Sequence, residues 1–144
     1  MRLLISTVVP LVLIVSLPRP SVADSCMDKA QTQADMNSCA DGDFTQIDNE
    51  LNSLYQKILS EYADDPKFIA KFKASQRAWL KFRDAEMEAL FPHGEETGYY
   101  GSAYPMCNST WLAEITKERI SQLKKWTDKV KEGDVCSGSI KVME

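Results

Sequence analysis

The only histidine of this 144-residue chain, His93, opens a segment that also carries Glu95, Glu96, Tyr99, Tyr100 and Tyr104. An imidazole serves as general acid or base only when a second group holds it in place. Spacing alone gives His93 no such partner. The carboxylate pairs Asp84/Glu86 and Glu95/Glu96 read as a solvated helix face and a solvated loop. The chain has no GxSxG elbow, no HExxH pair and no glycine-rich phosphate loop after a strand. No catalytic residue is assigned, no cofactor is implied, and the expectation is a protein that is not an enzyme.

The four cysteines are Cys26, Cys39, Cys107 and Cys136. None forms a CxxC pair, and one histidine is too few for a zinc cluster, so no metal site is expected. An even cysteine count in a small exported domain points instead to two disulfides.

A third group of polar residues sits where apolar ones belong. Gln76, Arg83 and Arg119 fall on otherwise apolar helical stripes. A guanidinium is tolerated inside only when paired and hydrogen-bonded. Asp48, Asn52 and Glu86 are the candidate partners on facing helices, and the six together read as a structural polar network that fixes helix register.

The elements that must position these groups are helices. Ile47, Leu51, Leu54, Tyr55, Ile58, Leu59 and Tyr62 recur at three- and four-residue steps, which predicts a helix from about Phe44 to Tyr62. Asp65 caps the next helix and Pro66 suits its first turn; it runs from about Pro66 to Leu90. Pro92, Gly94, Gly98, Gly101 and Pro105 make a long loop, and long loops in compact domains are often functional. A third helix is predicted from about Ser109 to Lys131, capped by Asn108 or Ser109, with Leu112, Ile115, Arg119, Ile120, Leu123, Trp126 and Val130 on its buried side. A short helix precedes the first, opened by the capping-box pattern Thr32-Gln33-Ala34-Asp35. The expected fold is all-α: an antiparallel bundle of three long helices plus a short N-terminal helix, stapled by two disulfides.

The N-terminus reads as an address. Arg2 precedes an uncharged, largely apolar run from Leu3 to Leu17, too short for a membrane span of about 20 residues. Pro18 and Pro20 break it, and Ser21-Val22-Ala23 supplies small residues for a peptidase cut before Asp24. Residues 1–23 are therefore expected to be a cleavable signal peptide, and 24–144 a single helical domain. The location is periplasmic or secreted, with no stable membrane anchor after cleavage. Losing Arg2 and Arg19 moves the net charge from −4 to −6. Such a balance argues against nucleic acid and permits a cationic partner.

Helix length constrains the disulfides. A third helix of that length is on the order of 33 Å long, so a Cys107–Cys136 bridge would require it to break early. Cys39 and Cys107 lie near one end of an up-down-up bundle. A short helix antiparallel to the first would carry Cys26 towards Cys136. The favoured pairing is Cys39–Cys107 with Cys26–Cys136, and the alternative is Cys26–Cys107 with Cys39–Cys136.

Four segments resemble a known family. Thr32-Gln33-Ala34-Asp35-Met36-Asn37-Ser38-Cys39-Ala40 is similar to the opening of the lysozyme inhibitor LprI domain. Asp48-x-x-Leu51-Asn52-x-x-Tyr55 and the run Gln76-Arg77-Ala78-Trp79-Leu80-Lys81-Phe82-Arg83-Asp84-Ala85-Glu86 are similar to its central patterns. Gly101-Ser102, Cys107 and Thr116-x-x-Arg119-Ile120-x-x-Leu123 resemble its close. The family commonly has a cysteine directly after this run, where this chain has Met87, and Cys136 looks like an addition. The resemblance therefore carries no disulfide pattern over. It implies a lysozyme-inhibitor-like binding protein that blocks a lysozyme by contact, without turnover. The loop residues His93, Glu95, Glu96, Tyr99, Tyr100 and Tyr104 suit insertion into a sugar-binding cleft and are the candidate partner-binding site. The competing readings are an envelope protein-interaction module, which a pull-down of a non-lysozyme partner would favour, and a carrier of a small apolar ligand, which a large pocket would favour.

Overall fold

The computed structural model describes residues 26–143. The expected signal peptide and its cut after Ala23 lie outside the described residues. Four helices succeed one another: α1 (Cys26–Lys29), α2 (Gln33–Glu61), α3 (Pro66–Leu90) and α4 (Tyr104–Lys124). Among the described residues no strand forms; one isolated bridge joins Val130 to Val142.

The capping box opens α2 as its residues predict. Thr32 Oγ1 accepts the Asp35 backbone N–H at 3.1 Å, and Asp35 Oδ2 accepts the Thr32 N–H at 2.9 Å. Beyond the cap the structure departs from the expectation of two helices. The short piece and the first long helix are one continuous α2. Gly42 is exposed there and meets nothing, so its cost to helix propensity of about 1 kcal/mol is absorbed by the turns on either side. Asp65 Oδ1 accepts the Phe68 N–H at 2.9 Å, with Pro66 in the first turn of α3, and this helix has the predicted bounds.

The fourth helix is displaced towards the N-terminus. It opens at Tyr104 with Pro105 in its first turn, and Asn108 and Ser109 lie inside it rather than capping it. It also stops early. After Lys124 the chain tightens into turns, and Lys129 takes a positive φ of 50°. Trp126 packs within 6.0 Å of Tyr62, Phe68 and Phe72. Val130 then faces Val142 instead of continuing a helical stripe.

Helices α2 and α4 run parallel and pack along much of their length, with α3 antiparallel to both. The core is Leu51, Ile58, Tyr62, Phe68, Phe72, Ile120 and Leu123, drawn from all three. The backbone of α3 stands further off, and large side chains bridge the gap. Tyr55 stacks on Phe72 at 5.5 Å and Tyr62 on Phe68 at 4.3 Å. Thr116 is fully buried on α4, and its hydroxyl has no hydrogen-bond partner among the described residues.

The disulfide expectation is corrected. Cys26 pairs with Cys39, at a Cα–Cα distance of 5.5 Å. Neither Cys39–Cys107 with Cys26–Cys136 nor Cys26–Cys107 with Cys39–Cys136 forms. The physical reason is the length of α1. Its single turn is about 6 Å long, far too short to carry Cys26 down the bundle. The chain turns at residues 30–32 and lays α1 back beside the second turn of α2. Cys107, half-buried, and Cys136, exposed on the tail, are both free thiols, so one staple replaces the expected two.

The α2 cap makes one prediction. Asp35 is held below the usual aspartate range by the Thr32 side chain first, then by the Thr32 and Gln31 backbone N–H groups. A carboxyl with a depressed folded-state pKa stabilises the fold above its unfolded pKa, and that contribution is lost as pH falls through the folded value. Asp35→Asn is therefore expected to flatten the acid limb of the stability curve as pH falls through and below the usual aspartate range. Denaturation at stepped pH checks it, and a variant that tracks the parent throughout would refute it.

Candidate functional site

Residues 91–103 join α3 to α4 through a succession of tight turns. Backbone bonds run from Gly94 to Phe91, Glu96 to His93, Tyr99 to Glu96 and Gly101 to Gly98. Gly98 and Gly101 take φ of 80° and 73°, a region closed to most side chains. Gly94 is required for a different reason: a Cβ there would collide with the Tyr104 hydroxyl. Asn37 on α2 donates to the Ser102 carbonyl at 3.0 Å and pins the segment to the bundle end.

Five aromatic rings give the loop its own small core. Phe91 meets Tyr100 at 5.4 Å and Tyr104 at 5.2 Å, and Tyr100 stacks on Tyr104 at 5.5 Å. Tyr99 contacts Tyr100 at 4.8 Å and stacks on His93 at 4.3 Å. His93 Nδ1 lies 2.6 Å from Glu96 Oε1. The His93 backbone N–H donates to the Tyr100 hydroxyl at 3.3 Å.

The six candidate residues therefore divide by role, with His93, half-buried, linking the two groups through Tyr99 and Glu96. Tyr100 and Tyr104 are half-buried and hold the loop's shape. Glu95, Glu96 and Tyr99 are exposed, Tyr99 to 57%, and are presented outward. Beside them opens a cleft of about 520 Å³, lined by Met87, Glu88, His93, Glu95, Glu96 and Asn108 among others.

Met87 also lines a second groove, between α3 and α4. There Phe82, Leu90 and Trp111 stand 53%, 42% and 51% exposed, alongside Glu86, Glu114 and Glu118. Three large apolar side chains on one surface are more than scattered exposure explains. Together the loop and groove form an acidic surface with aromatic and aliphatic protrusions. Sequence reasoning misses the groove because Phe82 and Leu90 fit the apolar periodicity of α3, which assigns them to its buried side.

The polar residues of the stripes separate into two sets. In the first, Asp48 Oδ1 lies 3.8 Å from an Arg83 nitrogen, and Asn52 donates to Asp48 Oδ2 at 3.0 Å. Arg83 also reaches Asp84 Oδ1 at 2.9 Å. In the second, Arg119 Nε donates to Gln76 Oε1 at 3.0 Å, and its other nitrogens reach Gln122 and Ser75. Trp79 joins the two sets, with Arg83 5.5 Å and Arg119 5.7 Å from its ring centre. Glu86 stands apart, in the groove. Ser75, Asp84 and Gln122 are the members that periodicity does not single out; it places Trp79 on the apolar face of α3 but not between the two arginines. An aromatic one turn before Arg83 is the available signal, since the i, i+4 spacing places ring and guanidinium side by side.

Among the described residues, no three His, Cys, Asp or Glu side chains converge to hold a metal ion. No helix among them is long and apolar enough to cross a membrane. The loop thus presents tyrosines and carboxylates from a rigid helical scaffold. The family model described as "Lysozyme inhibitor LprI" matches residues 26–123, and the chain belongs to that family. An uncharacterized protein of Rhizobium meliloti (strain 1021) is 36% identical over 109 residues, covering 67% of this chain and 75% of the relative. No solved structure matches.

Proposed function

We propose that this protein is a periplasmic or secreted inhibitor that binds a lysozyme and blocks it by contact, without turnover. The observation that carries the reading is membership of the lysozyme inhibitor LprI family across residues 26–123. Three further features support it. Residues 1–23 have the pattern of a cleavable signal peptide, which would leave 24–144 as one domain where a lysozyme can be met. The acidic balance steers a cationic enzyme towards it. Exposed Glu95, Glu96 and Tyr99 stand on a platform already shaped by Tyr100 and Tyr104, so little ordering entropy is lost on binding.

In this reading Tyr99 fills part of the enzyme's sugar-binding cleft, and the two glutamates meet its basic rim. The purified mature protein should slow cell-wall lysis by at least one c-, g- or i-type lysozyme. Tyr99→Ala and Glu95→Ala should each weaken inhibition about tenfold, the effect of a central interface residue. Absence of inhibition across that panel at micromolar protein rejects the reading.

A further inference from the structure

The opposite end of the bundle holds a cleft of different chemistry. It lies between α3, the end of α4 and the tail, and its volume is about 640 Å³. Phe68, Phe72 and Trp126 form its floor, and Lys67, Lys71 and Arg119 its rim. Ser139 supplies a wall from the tail.

The state of Arg119 is the informative observation. Its guanidinium donates to Gln76, Gln122 and Ser75, all neutral, and among the described residues no carboxylate lies within ion-pairing distance. Burial pulls this group below its ordinary pKa, as befits a cation partly stripped of water without a counter-ion in exchange. The stacking on Trp79 accounts for where Arg119 sits. It does not account for the missing counter-ion in a chain with an excess of acids. Lys67 and Lys71 lie one turn apart on the same face of α3 and make no ion pair among the described residues. The one carboxylate lining the cleft, Asp65, is engaged as the α3 cap.

We propose that this cleft binds a small amphiphilic monocarboxylate, its head at Arg119, with Lys71 one turn and Lys67 two turns before Ser75 along the same rim, and its apolar body over Phe72 and Trp126. A carboxylate there forms charge-assisted hydrogen bonds with a partly desolvated guanidinium, the stronger kind. The volume falls within the range of small-molecule pockets, about 300–1,000 Å³. This site is separate from the loop and does not depend on the lysozyme reading.

The test uses dodecanoate below its micellar concentration, with acetate and dodecyltrimethylammonium as controls for the chain and the charge. Titration calorimetry should show binding of dodecanoate at sub-millimolar concentration, and at least tenfold weaker binding of both controls. The exposed double variant Lys67→Glu/Lys71→Glu should lose at least tenfold in affinity with unchanged circular dichroism and melting. Amide shifts on titration should cluster at Ser75, Gln122 and Ser139. Equal binding of the cationic control, undiminished binding by the double variant, shifts confined to residues 91–103, or no binding would each overturn the proposal.

Discussion

Replacing Trp79 with alanine is expected to lower the unfolding free energy by about 3 kcal/mol, at the lower end of the range for a core tryptophan because the ring is only half-buried. The loss has two parts. The ring fills space where α3 stands off from its neighbours, so its removal leaves a gap that the backbone has no easy way to close. It also separates Arg83 from Arg119, each about one ring-contact away, and each such cation–π contact is worth roughly 0.5–1 kcal/mol at a partly exposed site. Trp79→Phe keeps a smaller ring and should cost about half as much. Urea denaturation of Trp79→Ala, Arg83→Met and the double variant isolates the coupling. A Trp79→Ala loss below about 1 kcal/mol would show that the sandwich is incidental to α3 docking.

The second large effect concerns Tyr62, the buried C-cap residue of α2. Its ring stacks on Phe68, and its hydroxyl donates to the Trp126 carbonyl at 3.0 Å and accepts the Lys141 N–H at 3.0 Å. One oxygen thus ties the end of α2 to both limbs of the tail. Tyr62→Phe keeps the stacking but leaves that carbonyl and N–H without their partner. It should cost about 1–2 kcal/mol. Tyr62→Ala also empties the aromatic cluster and should cost about 3–5 kcal/mol. Hydrogen exchange separates the two effects. In Tyr62→Phe, the amides of Val130, Lys141 and Met143 should exchange faster while those of α2 and α4 keep their protection. Uniform loss of protection, or none, would contradict the tether.

Much of this architecture is legible in the residues. Asp65-Pro66 marks the start of α3, because a capping carboxylate followed by a fixed φ has few other uses. The Thr32–Asp35 box is equally local and equally readable. What escapes is non-local. The end of α4 is decided by Trp126 joining an aromatic cluster whose other members lie more than fifty residues earlier, and no window around Lys124 reveals that. The disulfide escapes for a related reason. Cysteine spacing fixes no connectivity, and the choice turns on whether residues 26–32 run along the bundle or fold back. Of the loop residues, His93, Glu95, Glu96, Tyr99, Tyr100 and Tyr104 stand out as a group by composition. Their division into inward and outward members needs the ring contacts.

The fold-back of α1 bears on how the molecule responds to a change of redox surroundings. The Cys26–Cys39 bond closes a sequence separation of only 13 residues and joins one turn of helix to the helix beside it. It crosses none of the contacts among α2, α3 and α4 that make the core. Reduction releases a clasp at one edge and leaves the three long helices held, as they already were, by packing and by the polar contacts between them. The scaffold beneath the loop therefore owes its shape to buried hydrocarbon and aromatic rings, and it persists whether those two sulfurs are joined or apart.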